Sequence, residues 1–144
     1  MYDGRVKSRA LFALALSAVA AGCGEERPPV WAYISPAIIQ PNCATSSCHS
    51  RLTAVAGLDL SEIDGGYRSL MTQRLPNDGI RERERYNEGR GSPRQLVTPG
   101  NPAGSRLINM LRGRGAPLMP PDRPLAEANI ELIEQWILEG ATHE

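Results

Sequence analysis

The chain has 144 residues, of which 41% are hydrophobic, 22% charged and 5% aromatic, a size that fits one domain. Sixteen Lys plus Arg balance sixteen Asp plus Glu, so no strong field invites nucleic acid or an acidic membrane surface. That apolar content argues against a long disordered chain, while 14 Gly and 12 Pro promise a loop-rich fold.

Residues 1–22 read as an export signal. Arg5, Lys7 and Arg9 make a basic start, and Ala10 to Ala21 form an apolar run. The run is too short to span a bilayer as a helix but suits the apolar region of such a signal. It ends in Ala20-Ala21-Gly22-Cys23, which resembles the lipobox of bacterial lipoproteins. The resemblance implies cleavage before Cys23 and a lipid on its thiol, with Ala20 standing where Leu is commoner. An ordinary secretory signal that contains a Cys is the bland alternative, and either reading takes the protein out of the cytoplasm. Residues 23–29 follow as a short lipidated tether, and residues 30–144 as the domain.

From Cys23 onward the only aromatics are Trp31, Tyr33, Tyr67, Tyr86 and Trp136; Phe12 lies in the signal. Aromatic rings usually supply much of a small core's buried area. Something else is expected to fill the middle of this one, and a large apolar cofactor is suited to it.

In chain order, Val30 to Gln40 is apolar and suits a short helix interrupted by Pro36. Ser50 to Leu60 looks irregular, with a turn at Gly57-Leu58-Asp59-Leu60. Ser61 and Asp64 resemble a capping box, and Tyr67, Leu70 and Met71 continue a helical stripe that Gly65 and Gly66 weaken. Arg74 to Arg94 holds six Arg against four acids and reads as a solvated arm, with docking of a partner as the sharper alternative. Val97 to Pro102 is a turn that delivers a helix, with Asn101 as N-cap and Pro102 at its first position. Ala103, Leu107, Met110 and Leu111 share its face, and Gly113 ends it. Gly115 to Pro124 is loop. From Ala126 to Glu139 a final helix gathers Ile130, Ile133, Trp136 and Ile137 on one side, and Gly140 closes it. No strand is expected: the fold class is all-α with long loops.

Two cysteines remain, in Cys43-Ala44-Thr45-Ser46-Ser47-Cys48-His49. Three readings compete. The first is covalent haem attachment, in which both thiols add to vinyl groups and the His that follows is placed beneath the iron. The usual motif has two residues between the cysteines; here there are four, so the spacer must loop out. The second is a Cys43–Cys48 disulfide in an oxidising envelope. The third is zinc held by Cys43, Cys48, His49 and His143, the last beside the chain terminus.

The motifs Pro41 to Ser50, Gly57-Leu58-Asp59-Leu60, Val97 to Pro102, Gly104-Ser105, Met119-Pro120-Pro121, and Trp136-Ile137 to Gly140-Ala141 occur in a recognisable order. Together, over Trp31 to Ala141, they resemble the small cytochrome c-like domains of planctomycete and myxobacterial envelope proteins. The resemblance implies a class I cytochrome c-like helical fold around one haem c. Cys43 and Cys48 match the attachment thiols, His49 the proximal iron ligand and Met119 the distal one. A thioether is a soft ligand, and His/Met ligation raises the potential. A Met that merely fills a gap is the alternative for Met119. Met110 is assigned to the core, Met71 and His143 are substitute ligands, and Trp136 packs on the first helix. Many members place a Pro after the proximal His to orient its ring; none lies between His49 and Pro76.

The functional expectation is a lipid-anchored periplasmic electron carrier with a redox partner in the envelope. It is not an enzyme on this reading: Asp59 and Glu127 read as surface or capping groups, and two His allow no nucleophilic set. The alternative is a non-haem lipoprotein interaction domain held by the Cys43–Cys48 disulfide.

Overall fold

A computed structural model describes residues 27–72 and 96–144. The expected signal, the expected lipidation site Cys23 and the Arg-rich stretch Arg74 to Arg94 lie outside the described residues. Among those described, the structure is helical and contains no strand, so the class is all-α. None of these helices is long and apolar enough to cross a membrane.

The first helical stretch runs on through its prolines. Helix α1 (Trp31–Ile34) passes into a π-helical turn (Ser35–Ile39) and then into α2 (Gln40–Cys43). Pro36 and Pro41 each remove a donor from the ladder, and between them the backbone widens until the Gln40 amide reaches the Ser35 carbonyl. The interruption expected at Pro36 is thus a local change of pitch. It keeps Trp31, Ile34, Ile38 and Ile39 buried along one side.

Helix α3 (Ile63–Thr72) starts without the expected capping box. Ser61 gives both its amide and its hydroxyl to Asp59, at 3.0 and 2.6 Å, so its oxygen is committed upstream. Those two bonds lower the Asp59 pKa below the ordinary carboxylate value, the hydroxyl contributing most. The two glycines of α3 have different surroundings. Gly66 is buried, its missing Cβ 3.5 Å from both the Trp31 ring and the Leu60 backbone.

The turn at 97–105 is tighter than expected. Asn101 does cap, accepting from the Gly104 amide at 2.9 Å, but α4 (Arg106–Leu111) begins five residues beyond it. Buried Ser105 occupies the N-cap position, and its hydroxyl is engaged in the turn, accepting from the Thr98 amide and donating to the Asn101 carbonyl, both at 2.9 Å. A Cβ at Gly104 would sit 2.5 Å from the side-chain Nδ2 of Asn101, so a larger residue there would displace the Asn101 side chain from its bond to the turn. Gly113, at φ +62°, follows the helix as expected.

Helix α5 (Glu127–Leu138) buries Ile130, Ile133, Trp136 and Ile137, and Gly140 at φ +104° turns the chain away. Trp136 meets Trp31 with ring centroids 5.1 Å apart, and Tyr67 of α3 closes the group at 6.0 Å from Trp31 and 6.4 Å from Trp136. The polar ends of all three rings are satisfied by carbonyls: Trp31 by Ile63, Trp136 by Thr142 and Tyr67 by Ala141. Arg112, just past α4, holds Glu134 of α5 with two nitrogens at 2.8 and 3.0 Å and Glu127 with a third at 2.7 Å. Both partnerships raise the Arg112 pKa, that with Glu134 most. In the first turn of α5, Arg27 donates to Asn129. The aromatic core and these polar ties lock α1, α3, α4 and α5 together and leave the opposite flank of α2 and α4 facing a cavity.

Candidate functional site

The Cys43–His49 segment folds back on itself. Helix α2 ends at Cys43, and the amide of His49 donates to the Cys43 carbonyl at 3.0 Å. Thr45, Ser46 and Ser47 stand exposed outside this closure, and the Cys48 amide donates to the Thr45 carbonyl at 3.0 Å. Both cysteines are free thiols and line one cavity together with His49. Within the spacer Ala44 packs against the core and Ser47 lines the cavity, so only Thr45 and Ser46 stand clear of both while the cysteines and His49 share one cavity wall.

Their chemistry differs. Burial, and secondarily the charge of Cys48, push the Cys43 thiol up to about 11. Hydroxyls of Thr45 and then Ser47 lower the Cys48 thiol, against desolvation and the charge of Asp122. Cys48 is thus the readier nucleophile.

The group that orients His49, which no proline supplies, is the Val55 carbonyl, 3.1 Å from Nδ1. Three further bonds hold this arrangement. The Val55 amide donates to the Cys48 carbonyl at 3.1 Å, the Leu60 amide to the His49 carbonyl at 2.8 Å, and Thr53 to Ser46. Val55 is flanked by Ala54 and Ala56, both with left-handed backbone at φ 39° and 57°. A carbonyl can only accept, so Nδ1 carries the proton and Nε2 is the nitrogen left for a ligand. Sequence reasoning missed Val55 because a backbone acceptor leaves no trace in residue type.

The cavity measures about 330 Å³, within the roughly 300–1,000 Å³ usual for small-molecule and cofactor sites. Leucines 58, 60, 70, 96, 107 and 111 form much of its lining, and no Asp, Glu, Lys or Arg among the described residues lines it. The Leu107 amide donates to the Leu96 carbonyl at 2.9 Å, which places those two walls side by side. Met119, Pro120 and Pro121 line it as well, so the loop before α5 brings Met119 to the same space as His49. Met110 lines it too, while also packing against the core as its periodicity led one to expect.

The other candidates lie elsewhere. His143 sits against Asp64 at 3.1 Å and edge-on to Tyr67, and Met71 packs against the core rather than lining the cavity. Among the described residues no three His, Cys, Asp or Glu side chains come together as a metal-binding group. The four-ligand zinc set therefore has no assembled counterpart here. Asp59 and Glu127 act in a turn and an ion pair. The cavity can take a flat apolar cofactor that is fixed through sulfur and ligated by imidazole and thioether. No protein-family model, curated protein or solved structure matches the chain.

Proposed function

We propose that the protein is a c-type cytochrome of the bacterial envelope, lipid-anchored through Cys23, that passes single electrons to and from a redox partner protein. The observation that carries this reading is the convergence of Cys43, Cys48, His49 and Met119 on one apolar cavity without charged lining. A haem c is the cofactor that uses all four. Cys43 and Cys48 would hold it through thioether bonds, and His49 Nε2 and the Met119 sulfur would serve as ligands to its iron. When bound, haem iron cycles between two oxidation states, and such a carrier needs no substrate chemistry of its own.

The chain's own residues do the rest. The Cys43 carbonyl and His49 amide hold the two ends of the attachment segment together, which makes the long spacer compatible with two-point attachment. Val55 keeps the imidazole in one tautomer and one orientation, and raises its basicity as a ligand. The leucines exclude water, which together with His/Met ligation favours the reduced iron. The sparse aromatic content is consistent with a core completed by the cofactor.

The test is expression with a haem-ligation system. A Soret absorbance that survives acid-acetone extraction is expected, with loss of extraction resistance when both Cys43 and Cys48 are replaced by Ser. A colourless protein in which the two cysteines are joined to each other overturns this reading in favour of a disulfide-held interaction domain.

A further inference from the structure

Two methionines, not one, stand at the cavity. The Met119 amide donates to the Met110 carbonyl at 3.0 Å, which pins the two residues side by side although eight positions separate them. Both are half-buried, and both side chains line the space shared with His49. Met110 reaches it from the last full turn of α4, next to Leu107 and Leu111 of the same lining. Met119 reaches it from the loop after Gly113 and Gly115. Methionine is unbranched, with three rotatable side-chain bonds and a polarisable sulfur, so neighbouring backbones can offer sulfur to overlapping positions.

We propose that Met110 is a reserve distal ligand, able to donate its thioether to the position that Met119 serves. The inference rests on the haem reading and deepens it. A chain with one soft ligand on a helix and another on a loop keeps its His/Met character when the loop sulfur is lost. Oxidation of Met119 by a peroxide, which transfers one oxygen to the sulfur as its O–O bond breaks and is itself reduced to water or an alcohol, is one such loss, since it converts the soft apolar sulfur into a polar group.

The experiment uses the haem-loaded protein and three variants, Met119→Leu, Met110→Leu and the double substitution, chosen because Leu keeps volume and cannot ligate. The readout is the sulfur-to-iron charge-transfer band of the oxidised protein, with helicity measured in parallel. Each single variant is expected to keep the band and the double variant to lose it. Loss of the band in Met119→Leu as complete as in the double variant, with helicity unchanged, overturns the proposal. Retention of a six-coordinate spectrum without the sulfur band in Met119→Leu does so too, because a different ligand has then stepped in. If the wild-type chain takes up no haem under ligation conditions, the cytochrome reading itself fails and this inference falls with it; that outcome is distinct from both others, which require attached haem.

Discussion

The Val55 carbonyl stands 3.1 Å from Nδ1 of His49, and this single contact decides which ring nitrogen faces outward. In the neutral imidazole, the ring proton is expected on Nδ1. Nitrogen-15 correlation spectra of the histidines check this directly. An Nε2–H tautomer for His49 contradicts the arrangement, because Val55 can offer no proton in return.

The two thiols are expected to alkylate at different rates in the haem-free, reduced protein. The thiolate is the reacting form. Cys43, raised to about 11, gains about tenfold in thiolate for each pH unit between 8 and 10. Cys48, lowered by the Thr45 and Ser47 hydroxyls, approaches its plateau at lower pH. Iodoacetamide labelling at pH 8 followed by peptide mass analysis should modify Cys48 first, by about tenfold or more. The gap narrows as the pH rises. Equal rates at pH 8 are the contrary result.

Gly65 and Gly66 of α3 invite opposite substitutions. At Gly65 a Cβ meets only the Glu62 side chain at 3.5 Å, an ordinary contact. Gly65→Ala is therefore expected to stabilise the fold by about 0.5–1 kcal/mol through helix propensity. At Gly66 a methyl just fits, 3.5 Å from the Trp31 ring and the Leu60 backbone, but nothing larger does. Gly66→Leu is expected to destabilise by about 1–3 kcal/mol through overpacking. Urea unfolding monitored by circular dichroism separates the two.

Trp136 is 1% exposed and packs on Trp31 at 5.1 Å. Removing its ring in Trp136→Ala leaves a void between α1 and α5 and the Thr142 carbonyl without its donor. A loss of about 3–5 kcal/mol is expected, which consumes much of a small domain's stability. Thermal unfolding of this variant should begin well below that of the parent; an unchanged midpoint shows that the two rings do not organise the core.

The sequence disclosed the parts governed by side-chain periodicity. The buried stripe Ile130, Ile133, Trp136 and Ile137 and the helical stripe of α3 follow from apolar spacing, whereas the packing of Trp136 on the first helix was implied by the family resemblance. The irregular stretch from Ser50 to Leu60 was legible too. What escaped was decided by the backbone. Pro36 signalled a break, yet the chain absorbed it as a π turn. Asn101 and Pro102 signalled a helix start, yet Gly104 and Ser105 used those groups to finish a turn first. At the site, the residues that line the cavity with Cys43, Cys48 and His49 included Met119 as expected, but Met110 looked like any other helical apolar position. The Val55 carbonyl had no residue-level signature at all.

The closure between Cys43 and His49 bears on how segments of the kind proposed here to hold haem are sought in other genomes. With Thr45 and Ser46 clear of the core and of the cavity, what this segment preserves is the return of the chain to the carbonyl it started from. A search that demands a set count between the cysteines passes over chains of this kind. One that asks instead for a helix end, a polar excursion of variable size and a Cys-His pair at its return will retrieve them.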